Sequence, residues 1–343
     1  MRVSLLALAG CLAAACQTAP ISPPAPDRPP VRAAAEPADW QDVLPRQLDA
    51  ARRAAARYRD VEVARAEGWK PFGDGTEEPL MGTHYWSDAA PDYVAGDRID
   101  PARPNNLMYA EVDGETVLTG LAFVVRIAPG DDLPAGFAGP QDRWHAHDFV
   151  EAINAATEER PLLRGLAARW LDDTYFSKGD ANARLAMVHV WTEHANPDGV
   201  FADVDRTLPY RKLGLGPRHW DGASVEAARG LHLATSDGCR ETFGAQAWIG
   251  DVSRAQEREV AAACIDAARV LKTALGAEPA VLNRAAERAW ADYREAYERV
   301  LSPEQRARIA AMTEHGDHDG GDEHGGHDDH GMGHDDAGRH AGH

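Results

Sequence analysis

The chain has 343 residues, 44% of them hydrophobic and 27% charged, which is the composition of a globular protein with a sizeable core. Its formal net charge of −19 argues against the clustered lysines and arginines that nucleic-acid binding requires. An acidic chain attracts cations. We therefore expect metal ions, and no nucleic acid, among its partners.

The first residues have the pattern of an export signal. Arg2 precedes a short apolar run over residues 3–15, and Cys16 follows it. This resembles the signal of bacterial lipoproteins, whose cysteine becomes lipid-modified. We predict residues 1–16 as the signal and a lipid anchor on Cys16 that holds the protein at the periplasmic side of the cell envelope. Gln17 resembles the residue found there in lipoproteins sent to the outer membrane.

Two alternatives to this processing point remain open. Cys11 fits the usual lipoprotein pattern in its preceding residues, from Leu8 onward, but leaves a very short apolar run. The other alternative is an ordinary secretory signal with incidental cysteines, since the apolar run is too short to span a bilayer.

The segment after the signal is predicted to be an extended tether. Residues 17–38 contain seven prolines and many alanines, which disfavours helices and central strands. An α+β domain is predicted over residues 39–222. Its first 31 residues, 39–69, have apolar side chains at helical spacing, and Gly68 and Pro71 end that pattern.

A β-hairpin is the clearest local prediction. Residues 107–112 and 115–126 have strand character, and Asp113 and Gly114 between them tolerate the positive φ that a type I′ turn needs. A further strand is predicted over residues 183–192.

Histidines in strand-like segments suggest a metal site. His145 and His147 have the i, i+2 spacing that places both rings on one face of a strand. His84 and His189 lie in similar apolar segments, and His194, which follows closely, is a further candidate ligand. We predict that His84, His145, His147 and His189 converge on one transition-metal ion, copper or zinc, with ring nitrogens about 4–5 Å apart.

Each candidate ligand also has a structural alternative. A single histidine among valines is more often a hydrogen-bonded core residue than a ligand. Met81, Met108 and Met187 occupy the same three segments and would favour Cu(I) as ligands, although methionine is commonly a core filler. Glu111 is either an oxygen ligand or a solvent-facing residue of its strand.

The histidine pair resembles the first metal motif of the cupin family. Gly139, His145, His147 and Glu151 have the matching spacing, and the resemblance implies a divalent ion held by two histidines and a glutamate on β-strands. The glycine expected after the glutamate and the second cupin motif are missing. Asp148 and Glu151 also fit a capping box at the start of a helix predicted over residues 148–173, so Glu151 is not included among the predicted ligands.

The C-terminal half is predicted to be helical over residues 223–313. Apolar residues recur at helical spacing over residues 252–275 and 279–301. In an oxidising compartment Cys239 and Cys264 are predicted to form a disulfide that joins two helices. The alternative, a pair of thiolate ligands for a soft metal, would need reduced cysteines.

The last segment, residues 314–343, is predicted to be a disordered metal-binding tail. Its histidines alternate with aspartate and glycine, a composition that cannot build a core but binds transition metals loosely and in multiples. The alternative is a merely solubilising acidic tail. The candidate ligands in the tail are His315, His318, His324, His327, His330, His334, His340 and His343.

These patterns together predict an α+β fold with a small antiparallel or mixed sheet, an N-terminal helix, a helical insertion and a helical C-terminal half. The leading hypothesis for function is an exported, lipid-anchored protein that binds or buffers copper or zinc in the cell envelope. The alternatives are a cupin-like metal-dependent oxygenase or hydrolase that uses the same histidines, and a structural or chaperone-like envelope protein in which they are core residues.

Overall fold

The computed structural model describes residues 29–33, 35, 37–73, 75–128, 130–141, 143–147, 157, 165, 184–244, 247 and 250–313. The predicted signal with Cys11 and Cys16, Asp148 and Glu151, and the histidine tail lie outside the described residues, as does almost all of the helix predicted over 148–173. No helix among the described residues is long and apolar enough to cross a membrane.

The fold is α+β, as predicted, and is built on one mixed sheet. Seven strands form it in the order β1-β2-β4-β5-β7-β6, and β3 pairs in parallel with β5 while the other pairs are antiparallel. The strands are β1 (Lys70–Pro71), β2 (Thr83–Trp86), β3 (Tyr93–Val94), β4 (Asn106–Val112), β5 (Glu115–Ile127), β6 (His145–His147) and β7 (Arg184–Val190).

The predicted hairpin is confirmed by β4 and β5. Asp113 and Gly114 connect the two strands with φ angles of 53° and 79°, the left-handed values that a type I′ turn requires. A bulge interrupts the ladder between Met108 and Tyr109, and the hydroxyl of Thr119 donates to the Met108 carbonyl at 3.0 Å there. Bulges bend a strand and increase its twist, so the sheet is curved at this point.

Nine helices are present in the described chain, and the later ones form its C-terminal half. They are α1 (Trp40–Arg57), α2 (Val61–Ala66), α3 (Leu208–Lys212), α4 (Pro217–Trp220), α5 (Val225–Leu233), α6 (Gly238–Phe243), α7 (Arg254–Ala274), α8 (Pro279–Val300) and α9 (Pro303–Thr313).

The single helix predicted over residues 39–69 is in fact two. The chain leaves the helical conformation after Arg57 and resumes it at Val61, where the Asp60 side chain accepts from the Glu62 backbone N–H at 2.9 Å. This N-cap satisfies a backbone donor that a helix start leaves without a partner. The apolar spacing continues across the break, because both helices pack on the same face of the sheet.

That face of the sheet carries the main core. Leu44 and Ala55 of α1 pack there with Tyr109, Phe123 and Val188 of the central strands. All five are at most 7% exposed. The opposite face has a second, smaller cluster whose members include methionine, alanine and tryptophan side chains, and it is this face that carries the strand histidines.

The C-terminal helices form a core of their own. Leu231 of α5, Leu271 of α7 and Leu282 of α8 are fully buried within it. Cys239 and Cys264 are joined by a disulfide between α6 and α7, the pairing that the sequence favours. The cysteines are therefore unavailable as thiolate ligands in this structure.

Part of the predicted tether contacts the domain. The backbone N–H of Val31 donates to the Asp131 carboxylate at 2.8 Å, and that of Ala33 donates to Asp132 at 3.1 Å. The Asp132 N–H donates in return to the Val31 carbonyl at 3.0 Å. Residues 31–33 are thus held against the turn that follows β5, inside the range predicted as an extended tether.

Gly82, two residues before His84, sets the approach of β2 to β4, and we expect alanine there to be strongly destabilising. Its φ is +84°, and an added Cβ would lie 2.2 Å from the Tyr109 carbonyl oxygen. Left-handed strain of ~1–2 kcal/mol and overpacking of ~1–3 kcal/mol together predict a loss of about 2–5 kcal/mol. Urea unfolding followed by circular dichroism measures this loss.

Gly114 provides the matched control, because it has nearly the same φ, +79°, but no atom within 4 Å of an added Cβ. Gly114→Ala should therefore show only the backbone strain of ~1–2 kcal/mol. Equal losses for the two variants would show that the Tyr109 backbone yields and that the close approach is unimportant.

Candidate metal centre

The strand histidines share one face of the sheet. In the ladder, His84 of β2 is opposite Met108 of β4, and His189 of β7 is opposite Ala122 of β5. His145 of β6 is opposite Met187 of β7. Directly paired residues point to the same side of a sheet, so the three histidines and their partners lie on one face.

The sheet curves around this face and brings distant strands together. β2 and β7 are separated by β4 and β5, a span of about 14 Å in a flat sheet with a strand spacing of 4.7–4.9 Å. Yet the Nε2 atoms of His84 and His189 are 3.2 Å apart. The sheet must therefore bend toward this concave face, whose buried cluster includes the small side chains of Ala110 and Ala122 beside Met108.

The chemical state of His189 follows from its other ring nitrogen. Its Nδ1 lies 2.7 Å from the backbone carbonyl oxygen of Asp203. A carbonyl only accepts, so Nδ1 carries the proton and donates it, and the Nε2 of neutral His189 is then an acceptor. Metal-bound histidines nearly always use this arrangement, with the second ring nitrogen donating to a carbonyl or carboxylate.

A thioether lies against the same nitrogen. The Sδ atom of Met187 is 3.2 Å from His189 Nε2, because residues two apart on β7 point to the same side. Two ligand nitrogens on one tetrahedral ion with bonds of ~2.0–2.1 Å are separated by about 3.3 Å. The 3.2 Å separation between the His84 and His189 nitrogens therefore matches a pair of ligands on one ion.

The predicted shell of four histidines is not formed as such. No group of three or more histidine, cysteine, aspartate and glutamate side chains in the described part of the chain is placed to hold one metal ion. Two imidazole nitrogens and one thioether sulfur do lie together: His84 Nε2 and Met187 Sδ are each 3.2 Å from His189 Nε2. We refer to His84, His189 and Met187 as the His-Met cluster.

His145 and His147 border this cluster. The ring centroids of His145 and His189 are 5.2 Å apart, and those of His145 and His147 are 5.0 Å apart. The Nδ1 atom of His145 is 3.6 Å from the Asp203 carboxylate. Asp203 thus faces two of the predicted ligands, through its carbonyl at His189 and through its carboxylate at His145.

His194 has a different environment from the other predicted ligands. Its Nε2 contacts the carboxylate of Asp205, which is fully buried. The second oxygen of that carboxylate accepts from the Thr207 N–H and hydroxyl, at 2.8 and 2.7 Å, and the Asp205 N–H donates to the Leu80 carbonyl at 2.8 Å. This network fixes the loop that presents Asp203.

Two neighbours of the cluster were not found from the sequence. Asp203 contributes a backbone carbonyl, which no residue-type pattern reveals. Glu78 lies near His145: burial raises the pKa of its carboxyl, and a positive charge on His145 opposes this rise. The residue as a whole is exposed, so the burial that raises this pKa is that of the carboxyl group alone.

The remaining candidate ligands are placed less centrally. Met108 is fully buried opposite His84, and Met81 is 7% exposed. The Glu111 carboxylate accepts from the Thr116 hydroxyl on the exposed end of the hairpin, which agrees with its alternative as a surface residue. His219 and His232, which have no assigned role, are buried in the helical half.

A separate cavity of about 450 Å³ opens on the helical half, between α5 and α8. Glu226, Glu287 and Glu298 line it with Trp290 and Arg294. Its chemistry is acidic, and none of the strand histidines lines it.

The chain was compared with protein families, curated proteins and solved structures. No protein family model, no curated protein and no solved structure matches the chain.

Proposed function

We propose that the protein binds a transition-metal ion on the concave face of its sheet. One observation carries the proposal: His84 and His189 meet at Nε2 with a separation of 3.2 Å, while the His189 Nδ1–H donates to the Asp203 carbonyl. A ligand pair on one ion needs this separation, and a ligand histidine needs this outer partner.

The burial of the histidine side chains supports tight binding of the ion. His84, His145 and His189 are at most 8% exposed, and the Trp191 ring lies 6.1 Å from that of His189. A buried set of neutral nitrogen ligands competes well with water for a borderline or soft ion such as zinc or copper. We further propose that the predicted export signal brings this activity to the bacterial cell envelope, with the protein anchored through Cys16 and the tail acting as a looser store of the same ions.

The test is a tight-binding titration of the full-length chain. We expect the double variant H84Q/H189Q to weaken the tightest Zn(II) site by at least about 100-fold, because loss of an outer-shell partner alone costs 10–100-fold in metal affinity. Competition with a chelator of known affinity, with less than one equivalent of zinc, confines the measurement to the tightest site and leaves the tail histidines out of it.

The matched control is H219Q, which replaces a histidine that is also buried, 6% exposed, but lies in the helical half. Its zinc affinity should equal that of the wild type. The proposal is wrong if H84Q/H189Q keeps the wild-type affinity while its circular dichroism spectrum shows an intact fold.

A further inference from the structure

We propose that the His-Met cluster selects monovalent copper, with Met187 as the selecting ligand. This inference rests on the proposed function and adds the identity of the ion. The sulfur is the distinguishing atom, since imidazole ligands such as His84 and His189 are suited to zinc, copper and nickel alike.

The Met187 sulfur lies beside the nitrogen pair of the His-Met cluster. It lies 3.2 Å from His189 Nε2, the same distance that separates this nitrogen from His84 Nε2. His189 and Met187 come from one strand, two residues apart, and His84 comes from the strand across the concave face. An ion that binds His189 Nε2 therefore has a nitrogen donor on one side of it and a sulfur donor close by.

The softness of the donors favours copper in its reduced state. A thioether is a soft ligand that selects Cu(I), whereas Zn(II) binds thiolate, imidazole and carboxylate and gains little from a neutral sulfur. Copper(I) is also stable with only three ligands. The set N, N, S therefore satisfies Cu(I) without a water molecule or a fourth protein ligand.

The charge of the ion points the same way. His84, His189 and Met187 are all neutral as ligands, and the two histidines are 8% and 1% exposed. The cost of burying a charge in a medium of low dielectric constant rises with the square of that charge. A monovalent ion in this cluster leaves one uncompensated positive charge, and a divalent ion leaves two. The Asp203 carboxylate is directed to His145 and is 40% exposed, so it compensates the cluster only weakly.

The experiment compares Cu(I) and Zn(II) on the full-length chain and on M187L, which keeps the apolar volume and removes the sulfur. We expect M187L to weaken Cu(I) binding by about tenfold or more, with Zn(II) changed by less than about threefold. Half an equivalent of Cu(I) is supplied anaerobically in the presence of ascorbate, and bicinchoninate competes with the protein for the ion. X-ray absorption of the wild-type complex should show Cu–S scattering that M187L lacks.

Two controls make the result specific. M108L removes the sulfur of a fully buried methionine on the same face and should leave Cu(I) affinity unchanged. Thiol titration must show that the Cys239–Cys264 disulfide stays intact, because a released thiolate would also give Cu–S scattering.

The outcomes separate this inference from the proposed function. If M187L weakens Cu(I) and Zn(II) equally, or weakens Cu(I) no more than M108L does, Met187 is not the selecting ligand, although the chain remains a metal-binding protein. If H84Q/H189Q binds each ion with the same affinity as the wild type, the centre itself is absent and both proposals fail.

Discussion

Replacing Lys212 by methionine is expected to destabilise the protein by about 3–5 kcal/mol, the usual cost of removing one partner of a buried ion pair. The Lys212 ammonium contacts the Glu77 carboxylate and lies 4.0 Å from that of Glu241. All three side chains are at most 10% exposed. Without the lysine, two carboxylates would remain buried with no cation between them.

The position of Lys212 explains why the effect should reach the whole fold. Glu77 also accepts from the backbone N–H of Glu111 in β4, at 2.6 Å, and Glu241 of α6 lies 3.2 Å from the His232 ring of α5. Lys212 therefore connects a strand of the sheet to the C-terminal helices. We expect urea unfolding to shift to lower concentration in one transition.

Two further variants identify the cause. R269M breaks an exposed pair, Arg269 with Asp266 at 2.7 Å and about 70% exposed on each side, and should change stability by less than ~1 kcal/mol. Adding E77Q to K212M removes one buried charge but keeps an oxygen for the Glu111 N–H, so it should recover part of the loss. A loss below ~1 kcal/mol for K212M alone would mean that water already reaches these charges.

Much of the fold could be predicted because its signals are local. The β4–β5 hairpin follows from Asp113 and Gly114 between two strand-like segments, and a turn of this type depends only on its own residues. The break between α1 and α2 was missed although Asp60 marks it, because the apolar spacing of two helices on one sheet face looks like that of a single helix.

The candidate site could be predicted only in part, since it depends on contacts between segments that are distant in the sequence. Residue types and strand spacing indicated His84, His145, His147 and His189. The contact of His84 with His189 depends on how the intervening strands β4 and β5 bend, and the bulge between Met108 and Tyr109 is not visible as a ligand pattern. The carbonyl of Asp203 and the buried Lys212 network likewise depend on contacts between segments far apart in the sequence.

The second large effect concerns the tail. Truncation after Thr313 is expected to remove about two to four bound Zn(II) equivalents, because its eight histidines provide two to four ligands for each ion. The tight site on the sheet should keep its affinity, since the described chain up to α9 supplies its ligands. Isothermal titration at a fixed ionic strength, with zinc added well beyond one equivalent, counts both classes of site.

The full-length variant H84Q/H189Q is the complementary measurement. It should lose the tight phase and keep the weaker equivalents, so that each change removes one class of site and leaves the other. If truncation also removes the tight phase, the tail histidines contribute ligands to the ion on the sheet, and the three donors of the His-Met cluster do not hold it alone. If truncation removes no equivalents, the aspartates and glycines of the tail keep the protein in solution and its histidines bind no zinc, which is the alternative interpretation of its composition.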